Sequence, residues 1–264
     1  MRKQKQKVHI VPPYLLNPTN PISVNLVGAG GTGSTFLTAL ARMNFALNAL
    51  GHCGISVRVY DHDSVEQSNL GRQLFSAHEL GQNKAVALVN RVNLWFGTNW
   101  KAVAGKFGEG FAQSQSHNAN ITISCVDTVS ARKGIASYFR AQGQLGANRN
   151  KPLYWLDLGN GRDSGQVWLS TIGEIKQPES KKFKTVGTLE DIFTVFPNQM
   201  ERQVENLEPS CSLAQALNKQ DLFINSVLSN MGASLLWSLF RLGVLQHRGL
   251  FLSLADFRST SVKV

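Results

Sequence analysis

Three closely spaced glycines lie in the segment NLVGAGGTGSTF, residues 25–36. Gly28, Gly30 and Gly33 fit the pattern G-x-G-x-x-G, between a short β-branched run and a helical pattern. Glycines let a backbone approach a ligand closely, and the free N–H groups at a helix start favour an anion. The spacing therefore predicts a phosphate site. The same turn can also serve only to pack a helix on a strand, and the glycines alone do not identify a nucleotide.

Four charged residues near predicted strand ends could act on such a nucleotide. Asp61 could hold ribose hydroxyls of either a dinucleotide or ATP. Arg72 and Lys84 could neutralise a triphosphate, and Asp127 could hold Mg²⁺. A nicotinamide dehydrogenase needs none of the last three, so together they favour ATP. Each has an ordinary alternative, because arginine and lysine are usually solvated and an aspartate after a strand often caps the next helix.

The three cysteines are too far apart to form a C-x-x-C pair or a short His/Cys zinc motif. We therefore expect reduced thiols and no zinc. Cys211 precedes a predicted helix, whose N–H groups would lower the pKa of a thiol. It is a candidate nucleophile, with a buried structural cysteine as an equal alternative. Cys125 falls within an apolar strand pattern and is expected in the core.

The formal net charge is +10, and the dense basic clusters are residues 2–7 and 181–184. No aromatic platform accompanies them, so nucleic-acid binding is possible but not favoured. The proline-broken apolar patch near the N-terminus suits neither a signal peptide nor a membrane span. These features predict a cytoplasmic protein without membrane association.

Hydrophobic periodicity supplies the elements that must position these residues. Strands are predicted at 22–27, 55–63, 121–127, 152–160, 165–172 and 249–258, and helices at 36–50, 83–95, 130–142 and after residue 211. The alternation predicts a doubly wound α/β fold with a mainly parallel sheet and a C-terminal antiparallel extension. In such a sheet, ligands bind at the carboxyl ends of the strands.

The pattern indicates one domain over residues 1–264. It would comprise an N-terminal arm (1–20), a nucleotide-binding core (22–172), a segment without periodicity (173–210), and C-terminal helices with a closing strand (211–264). We expect the segment 173–210 to be partly mobile, because glycine, proline and charge are scattered through it.

The run YDHDSVEQSNLGRQLF, residues 60–75, resembles the D-x-D-x-V-x-x-x-N-L-x-R-Q signature of the ThiF/MoeB/E1 superfamily. GQNKA (81–85) is similar to the lysine motif of that superfamily, and SCVDTVSAR (124–132) is similar to its metal-binding aspartate segment. With the glycine loop, the resemblance covers roughly residues 22 to 170. The whole chain also resembles the ThiF-type family of the PRTRC cassette of bacterial plasmids.

The resemblance implies a Rossmann-like fold and ATP-dependent adenylation of the C-terminus of a ubiquitin-like protein. It implies phosphate contacts from Gly28, Gly30, Gly31, Gly33, Asn69, Arg72, Gln73 and Lys84, a ribose contact from Asp61, and Mg²⁺ binding by Asp127. It further implies ATP and Mg²⁺ as cofactors, a small β-grasp partner ending in glycine, and a homodimer. Cys211 lies where some E1 enzymes of this superfamily carry their thioester cysteine.

Two features depart from that superfamily. The R-Y-x-R-Q motif, which supplies an arginine in trans, has no counterpart here, and neither do the paired C-x-x-C zinc ligands. Other functions left open are adenylation of a peptide or a tRNA base, and a non-catalytic nucleotide-binding scaffold of a plasmid-maintenance complex. A nicotinamide dehydrogenase is the least favoured of these functions.

Overall fold

The computed structural model describes residues 5–108, 117–142, 149–198 and 212–264. Its strands are β1 (Lys7–Ile10), β2 (Ile22–Val27), β3 (Ile55–Asp61), β4 (Lys101–Ala104), β5 (Ile121–Ser124), β6 (Tyr154–Asn160), β7 (Ser164–Thr171), β8 (Lys184–Thr185), β9 (Val244–Leu245), β10 (His247–Ser253) and β11 (Arg258–Lys263). Its α-helices are α1 (Pro13–Leu16), α2 (Gly31–Ala49), α3 (Lys84–Phe96), α4 (Val129–Gln142), α5 (Ile192–Val195), α6 (Leu213–Lys219) and α7 (Ile224–Leu242).

An eight-stranded sheet in the order β11-β10-β7-β6-β5-β2-β3-β4 forms the centre. Strands β4, β3, β2, β5 and β6 run parallel, whereas β7, β10 and β11 are antiparallel to their neighbours. The chain moves outward from β2 to β4 and then returns to β5, so the strand order reverses between β2 and β5. This confirms the predicted doubly wound fold with a C-terminal antiparallel extension, and it makes the β2–β5 edge the expected ligand position.

Helices cover both faces of the parallel part of the sheet. Leu26 and Leu156 belong to the larger core cluster, which includes the buried sides of α2, α3 and α7. Their neighbours in sequence, Val27 and Trp155, belong to a second cluster with Phe139 of α4. Because successive side chains of a strand point to opposite faces, burial on both sides requires the nearly continuous apolar runs seen in β2, β5 and β6.

The C-terminal part contains helices as predicted, but a two-stranded hairpin stands in place of the single closing strand. The region consists of two helices, α6 and α7, bent by 62° relative to each other, and β10 and β11 pair as a hairpin. The carboxylate of Asp221 accepts hydrogen bonds from the N–H groups of Phe223 and Ile224, which ends one helix and begins the next. Among the described residues no single helix has the length and apolar composition to cross a membrane, and only this bent pair has both when taken together.

Other boundaries also differ from the sequence patterns. Strand β3 ends at Asp61 rather than Asp63, and β5 ends at Ser124, so Asp127 lies in a bend beyond the strand. The described part of the aperiodic segment, 173–198, contains β8 and α5. Cys211 and residues 1–4 lie outside the described residues.

A second, small sheet attaches the N-terminal arm to the domain. Strand β1 pairs parallel with β8 and antiparallel with β9. His9 on β1 is fully buried, and its ring nitrogens lie 2.7 Å from the Val186 carbonyl oxygen and 2.6 Å from the Tyr154 hydroxyl. Burial lowers the pKa of His9 below its ordinary value of 6.5, partly offset by the Val186 carbonyl.

His9 is therefore expected to make folding sensitive to mild acid. Because the pKa of His9 is lower in the folded chain than in the unfolded chain, the unfolded chain binds more protons below about pH 6.5, and the unfolding free energy falls there. Urea unfolding between about pH 7.5 and 5.5 measures this slope, and His9→Asn should flatten it. Equal slopes for wild type and variant would show that His9 stays neutral in both states or is protonated in both.

Candidate nucleotide site at the strand ends

The glycine loop between β2 and α2 turns sharply against β5. Gly28 has φ of 93°, which disfavours any side chain, and its N–H donates to the Tyr60 carbonyl at 2.8 Å. A Cβ on Gly28 would lie 2.7 Å from the Cys125 carbonyl oxygen, and one on Gly33 would lie 1.9 Å from the Gly28 oxygen. Turn geometry and packing therefore require these two glycines whatever the loop binds.

The middle glycines face different surroundings. A Cβ on Gly31 would lie 2.5 Å from Nδ2 of Asn225, whereas one on Gly30 would meet only the Gln73 amide nitrogen, at 4.0 Å. No described side chain caps the start of α2, so first-turn N–H groups remain available for an anion. Of the predicted glycines, Gly30 is the one whose missing side chain leaves open space at this helix start.

Asp61 fastens the loop to the end of β3. One carboxylate oxygen accepts from the Ala29 N–H at 2.6 Å and the other accepts from the Asp63 N–H at 2.8 Å. Burial raises the pKa of Asp61, and the two N–H donors and nearby Lys84 oppose the rise. Each carboxylate oxygen has a second lone pair, so the ribose hydroxyls of a nucleotide could still donate to it.

Lys84 is placed by the cap of its own helix. Asn83 accepts from the Val86 N–H, and its amide group donates to the carbonyls of Asp61 and Asp63. The first turn of α3 is thereby held against the end of β3. Nζ of Lys84 lies 2.9 Å from the Asp63 carboxylate, and the lysine side chain is 9% exposed whereas that of Asp63 is 51% exposed. The ammonium is thus fixed, while its partner can turn toward water.

Arg72 approaches the site from the segment that follows β3. Its Nη1 donates to Oε1 of Gln220 at 3.0 Å, and its Nε is buried without a partner among the described residues. Oε1 of Gln73 is buried and likewise without a described partner. Burial lowers the pKa of Arg72, and the negative charge of Asp127 opposes that change. Asn69 is buried and accepts from the Glu66 N–H, which shapes the 3-10 turn Gln67–Asn69 before Arg72.

Asp127 is exposed in the bend between β5 and α4, close enough to Arg72 for their charges to interact. Mg²⁺ in nucleotide sites commonly takes one or two carboxylates, waters and substrate phosphates, so a single exposed aspartate suits it. Ligand atoms of Asp61, His62 and Asp63 also lie within 4.8 Å of one another. Both oxygens of Asp61 already accept backbone N–H groups, and Asp63 pairs with Lys84, so these side chains have other roles.

A buried ion pair, Arg132–Asp157, supports the bend that carries Asp127. Nε of Arg132 donates to both Asp157 oxygens, at 3.1 Å each, and Ser124 donates to the same carboxylate at 2.6 Å. Both charged residues are nearly inaccessible to solvent. The pair ties the first turns of α4 to β6, so the two ends of the segment 125–128 are held in place.

The predicted residues thus collect at one edge of the sheet, and their surroundings fit a phosphorylated ligand. Arg72 is half-buried, and its buried Nε is a donor for which the described residues supply no acceptor. Residues that the sequence patterns did not reveal complete the arrangement, namely Asn160, Gln220 and Asn225. Cys125 is half-buried against the larger core cluster, one residue beyond the end of β5, and desolvation raises the pKa of its thiol above the usual range. Cys211 is not among the described residues, so no geometry is assigned to it.

Two cavities lie away from this edge. One of about 290 Å³ is lined by residues that include Asn44, Phe45 and Trp100, near the amino end of β3. Another of about 200 Å³ lies beside Trp155 and Thr194. Neither is lined by a sequence-predicted site residue.

Fold and loop together define a doubly wound α/β protein with a glycine-rich strand-to-helix turn. The sequence pattern of the ThiF family matches residues 14–218, and the chain belongs to that family. It is similar to ubiquitin-like modifier-activating enzyme 5 of Gallus gallus, 26% identical over 169 residues, which are 58% of this chain and 38% of that enzyme. It is also similar to ubiquitin-activating enzyme E1 1 of Schizosaccharomyces pombe, 28% identical over 198 residues, covering 69% of this chain and 18% of that enzyme.

Solved structures share the fold. The chain resembles E. coli MccB with a TM-score of 0.58 and 16% identity, covering 94% of this chain and 63% of MccB. The resemblance to PaaA has a TM-score of 0.56 and 17% identity, covering 92% of this chain and 64% of PaaA. MccB has also been crystallised with ATP. The chain thus spans well under half of the matched activating enzymes and somewhat under two thirds of these solved chains.

Adjacent glycines provide a matched test of the loop geometry. Gly31→Ala forces its Cβ into Asn225 and should lower the unfolding free energy by about 1–3 kcal/mol, the usual cost of overpacking. Gly30→Ala places its Cβ in open space and should change stability by less than about 0.5 kcal/mol. Thermal or urea unfolding measures the stability of both variants. Equal losses would contradict the different surroundings described for the two positions.

The buried pair gives a second stability test. Asp157→Ala leaves Arg132 buried without its counter-charge and should cost about 3–5 kcal/mol of unfolding free energy. Arg140→Ala removes one member of the Arg140–Asp191 pair, in which Arg140 is 57% exposed, and should cost about 0–1 kcal/mol. Urea unfolding measures both variants. A loss below about 1 kcal/mol for Asp157→Ala would mean that water reaches Arg132.

Proposed function

We propose that the protein is an ATP-dependent adenylating enzyme that activates a carboxylate as an acyl-adenylate. The observation that supports this most strongly is the grouping of Arg72, Lys84 and Asp127 around an anion-ready helix start. Two fixed cations and a carboxylate suited to Mg²⁺ match a triphosphate, whereas a nicotinamide dinucleotide leaves them without a role. Membership of the ThiF family and similarity to ubiquitin-activating enzymes point the same way.

The residues contribute positioning and charge rather than general base catalysis. Asp61 would hold the ribose, and the open face at Gly30 with the first-turn N–H groups of α2 would receive the phosphates. Arg72 and Lys84 would take up the negative charge that accumulates on the leaving group, with Asn69 and Gln73 as further polar contacts. Gly28, Gly31 and Gly33 would keep the loop in the required shape. Mg²⁺ held by Asp127 would supply additional charge neutralisation along the phosphates.

The reaction needs no deprotonation of the nucleophile. A carboxylate oxygen of the substrate attacks the α-phosphorus of ATP in line, an acyl-adenylate bond forms, and the bond to the β-phosphate oxygen breaks to release pyrophosphate. Since the attacking carboxylate is already ionised at neutral pH, the rate depends on alignment and on stabilising the pyrophosphate charge. That demand agrees with a site rich in hydrogen-bond donors.

For the substrate, we propose the C-terminal carboxylate of a small ubiquitin-like protein ending in glycine. The support is the similarity to enzymes named for activating ubiquitin and a ubiquitin-like modifier. MccB, crystallised with MccA, shares the fold, so a peptide is the alternative substrate. We also propose that the enzyme works as a homodimer in the cytoplasm, and that the Cys211 thiolate attacks the carbonyl carbon of the acyl-adenylate, forming a thioester and displacing AMP.

ATP–pyrophosphate exchange tests the adenylation step. With a candidate ubiquitin-like protein ending in glycine, wild type should exchange labelled pyrophosphate into ATP. Asp127→Ala and Lys84→Ala should each lower the rate by about 100-fold or more, because Lys84 neutralises the developing negative charge directly and Asp127 would hold the Mg²⁺ that neutralises it. Glu179→Ala, in an exposed loop, is the matched control for loss of an acidic residue and should exchange at the wild-type rate.

The partner's C-terminus supplies the specificity control. Removing its last glycine should abolish exchange if that carboxylate is the nucleophile. Exchange that persists with Asp127→Ala would contradict the assigned role of Asp127. Exchange supported only by a short peptide would replace the ubiquitin-like substrate with a peptide, and tight ATP binding without exchange for every partner would favour a nucleotide-binding scaffold.

A further inference from the structure

We propose that Gln220, in the bend between α6 and α7, is the positioning residue that orients Arg72 toward the phosphates of a bound nucleotide. The inference rests on the proposed use of ATP and extends it to a part of the chain that is remote in sequence from the glycine loop. It is carried by a set of hydrogen bonds that joins this bend to Arg72, to α7 and to the start of α2.

Gln220 is held by contacts on three sides. Its Oε1 accepts from Nη1 of Arg72 at 3.0 Å and from Nδ2 of Asn225 at 2.9 Å. Its Nε2 lies 3.4 Å from the Gly161 carbonyl oxygen in the β6–β7 turn, and its backbone N–H donates to the Ala216 carbonyl at the end of α6. The amide plane is therefore fixed before any nucleotide arrives.

The bend itself is anchored independently of its contact with Arg72. The Asp221 N–H donates to the Arg162 carbonyl at 2.7 Å, and the Asp221 carboxylate caps the first turn of α7. At the other end of α6, a Leu213 methyl carbon lies 3.4 Å from the position that a Cβ on Gly71 would occupy. The bend is thus a rigid support for the neighbouring Arg72 guanidinium.

Asn225 connects the support to the glycine loop. Its Oδ1 accepts from the Thr32 hydroxyl at 2.9 Å and from the Asn160 amide at 2.8 Å. Ser229, one turn further along α7, donates to the Thr32 carbonyl at 2.7 Å. One network therefore fixes Arg72 and the start of α2 relative to each other, which is the geometry that two groups contacting the same phosphates require.

Gln220 is suited to this role because its amide is neutral. A guanidinium presents its donors in a rigid fork, so one hydrogen bond to Nη1 also sets the direction of Nε, which is buried and unpartnered among described residues. A glutamate at this position would form an ion pair with Arg72 and compete with the phosphates for its charge. A glutamine orients the cation and leaves the charge available.

A double-mutant cycle on nucleotide binding tests the proposal. Dissociation constants for Mg·ATP and for adenosine are measured with wild type, Gln220→Leu, Arg72→Ala and the double variant. Gln220→Leu should weaken Mg·ATP binding by roughly 10-fold or more, the range expected for a hydrogen bond to a charged group, and should leave adenosine binding unchanged. In the Arg72→Ala background, Gln220→Leu should have no further effect on Mg·ATP.

Two further variants separate positioning from loss of structure. Gln220→Glu keeps both acceptor bonds of Oε1 and loses only the 3.4 Å contact with the Gly161 carbonyl, so it should lose little stability yet still weaken Mg·ATP relative to adenosine. Asn218→Leu makes the same kind of change at an exposed position of α6 and should bind Mg·ATP like wild type. Equal weakening of Mg·ATP and adenosine by Gln220→Leu, or equal effects of Gln220→Leu with and without Arg72, would overturn the proposal.

The same measurements separate this inference from the proposed activity. If wild type binds Mg·ATP but exchanges no pyrophosphate with any partner, adenylation fails, and the cycle still decides the role of Gln220. If pyrophosphate exchange occurs but the effects of Gln220→Leu and Arg72→Ala on Mg·ATP binding simply add, the adenylation proposal stands and Gln220 does not position Arg72. Failure of wild type to bind Mg·ATP at all would overturn both.

Discussion

The hydrogen bond from the Ala29 N–H to the Asp61 carboxylate is the contact on which the site depends. It joins the glycine loop after β2 to the end of β3, beside the β2–β5 edge where the doubly wound sheet reverses its strand order. From there, the cap at Asn83 places Lys84, and the close approach of Gly28 to Cys125 sets the loop against the bend that follows β5. Without this contact, the uncapped start of α2 and the cations would not share one edge.

At that edge of the sheet, the positive charges of Arg72 and Lys84 are suited to a bound anion. Lys84 is far more buried than its partner Asp63, and Arg72 is oriented by a neutral amide with its Nε unmatched among the described residues. Asp127 is the exposed member and stands where a metal could meet both protein and ligand. The ion pair Arg132–Asp157, in which both side chains are buried, lies behind the site and stabilises the fold around it.

Local signals predicted β2, β3, β5 and β6, because apolar runs, turn glycines and strand-terminal acids report on nearby structure, but not the parallel edge strand β4. Asp61 does lie at the end of β3 and Lys84 at the start of α3, while their roles stay predictions. The fold class was predicted correctly. The position of the break between α6 and α7 was not predicted, because one Asx cap at Asp221 interrupts an otherwise continuous helical pattern. The sequence patterns did not identify Gln220 and Asn225 as site residues. Their hydrogen-bond partners lie on β6, on α2 and just after the 3-10 turn Gln67–Asn69, and no local pattern encodes such distant hydrogen bonds.

A structure of the protein with a non-hydrolysable ATP analogue and Mg²⁺ tests the central claim most directly. The account predicts phosphates against the first-turn N–H groups of α2, within hydrogen-bonding reach of Arg72 Nε and Lys84 Nζ. It also predicts the metal on Asp127 and the ribose on Asp61. Phosphates bound away from both cations, or a metal held without Asp127, would contradict it.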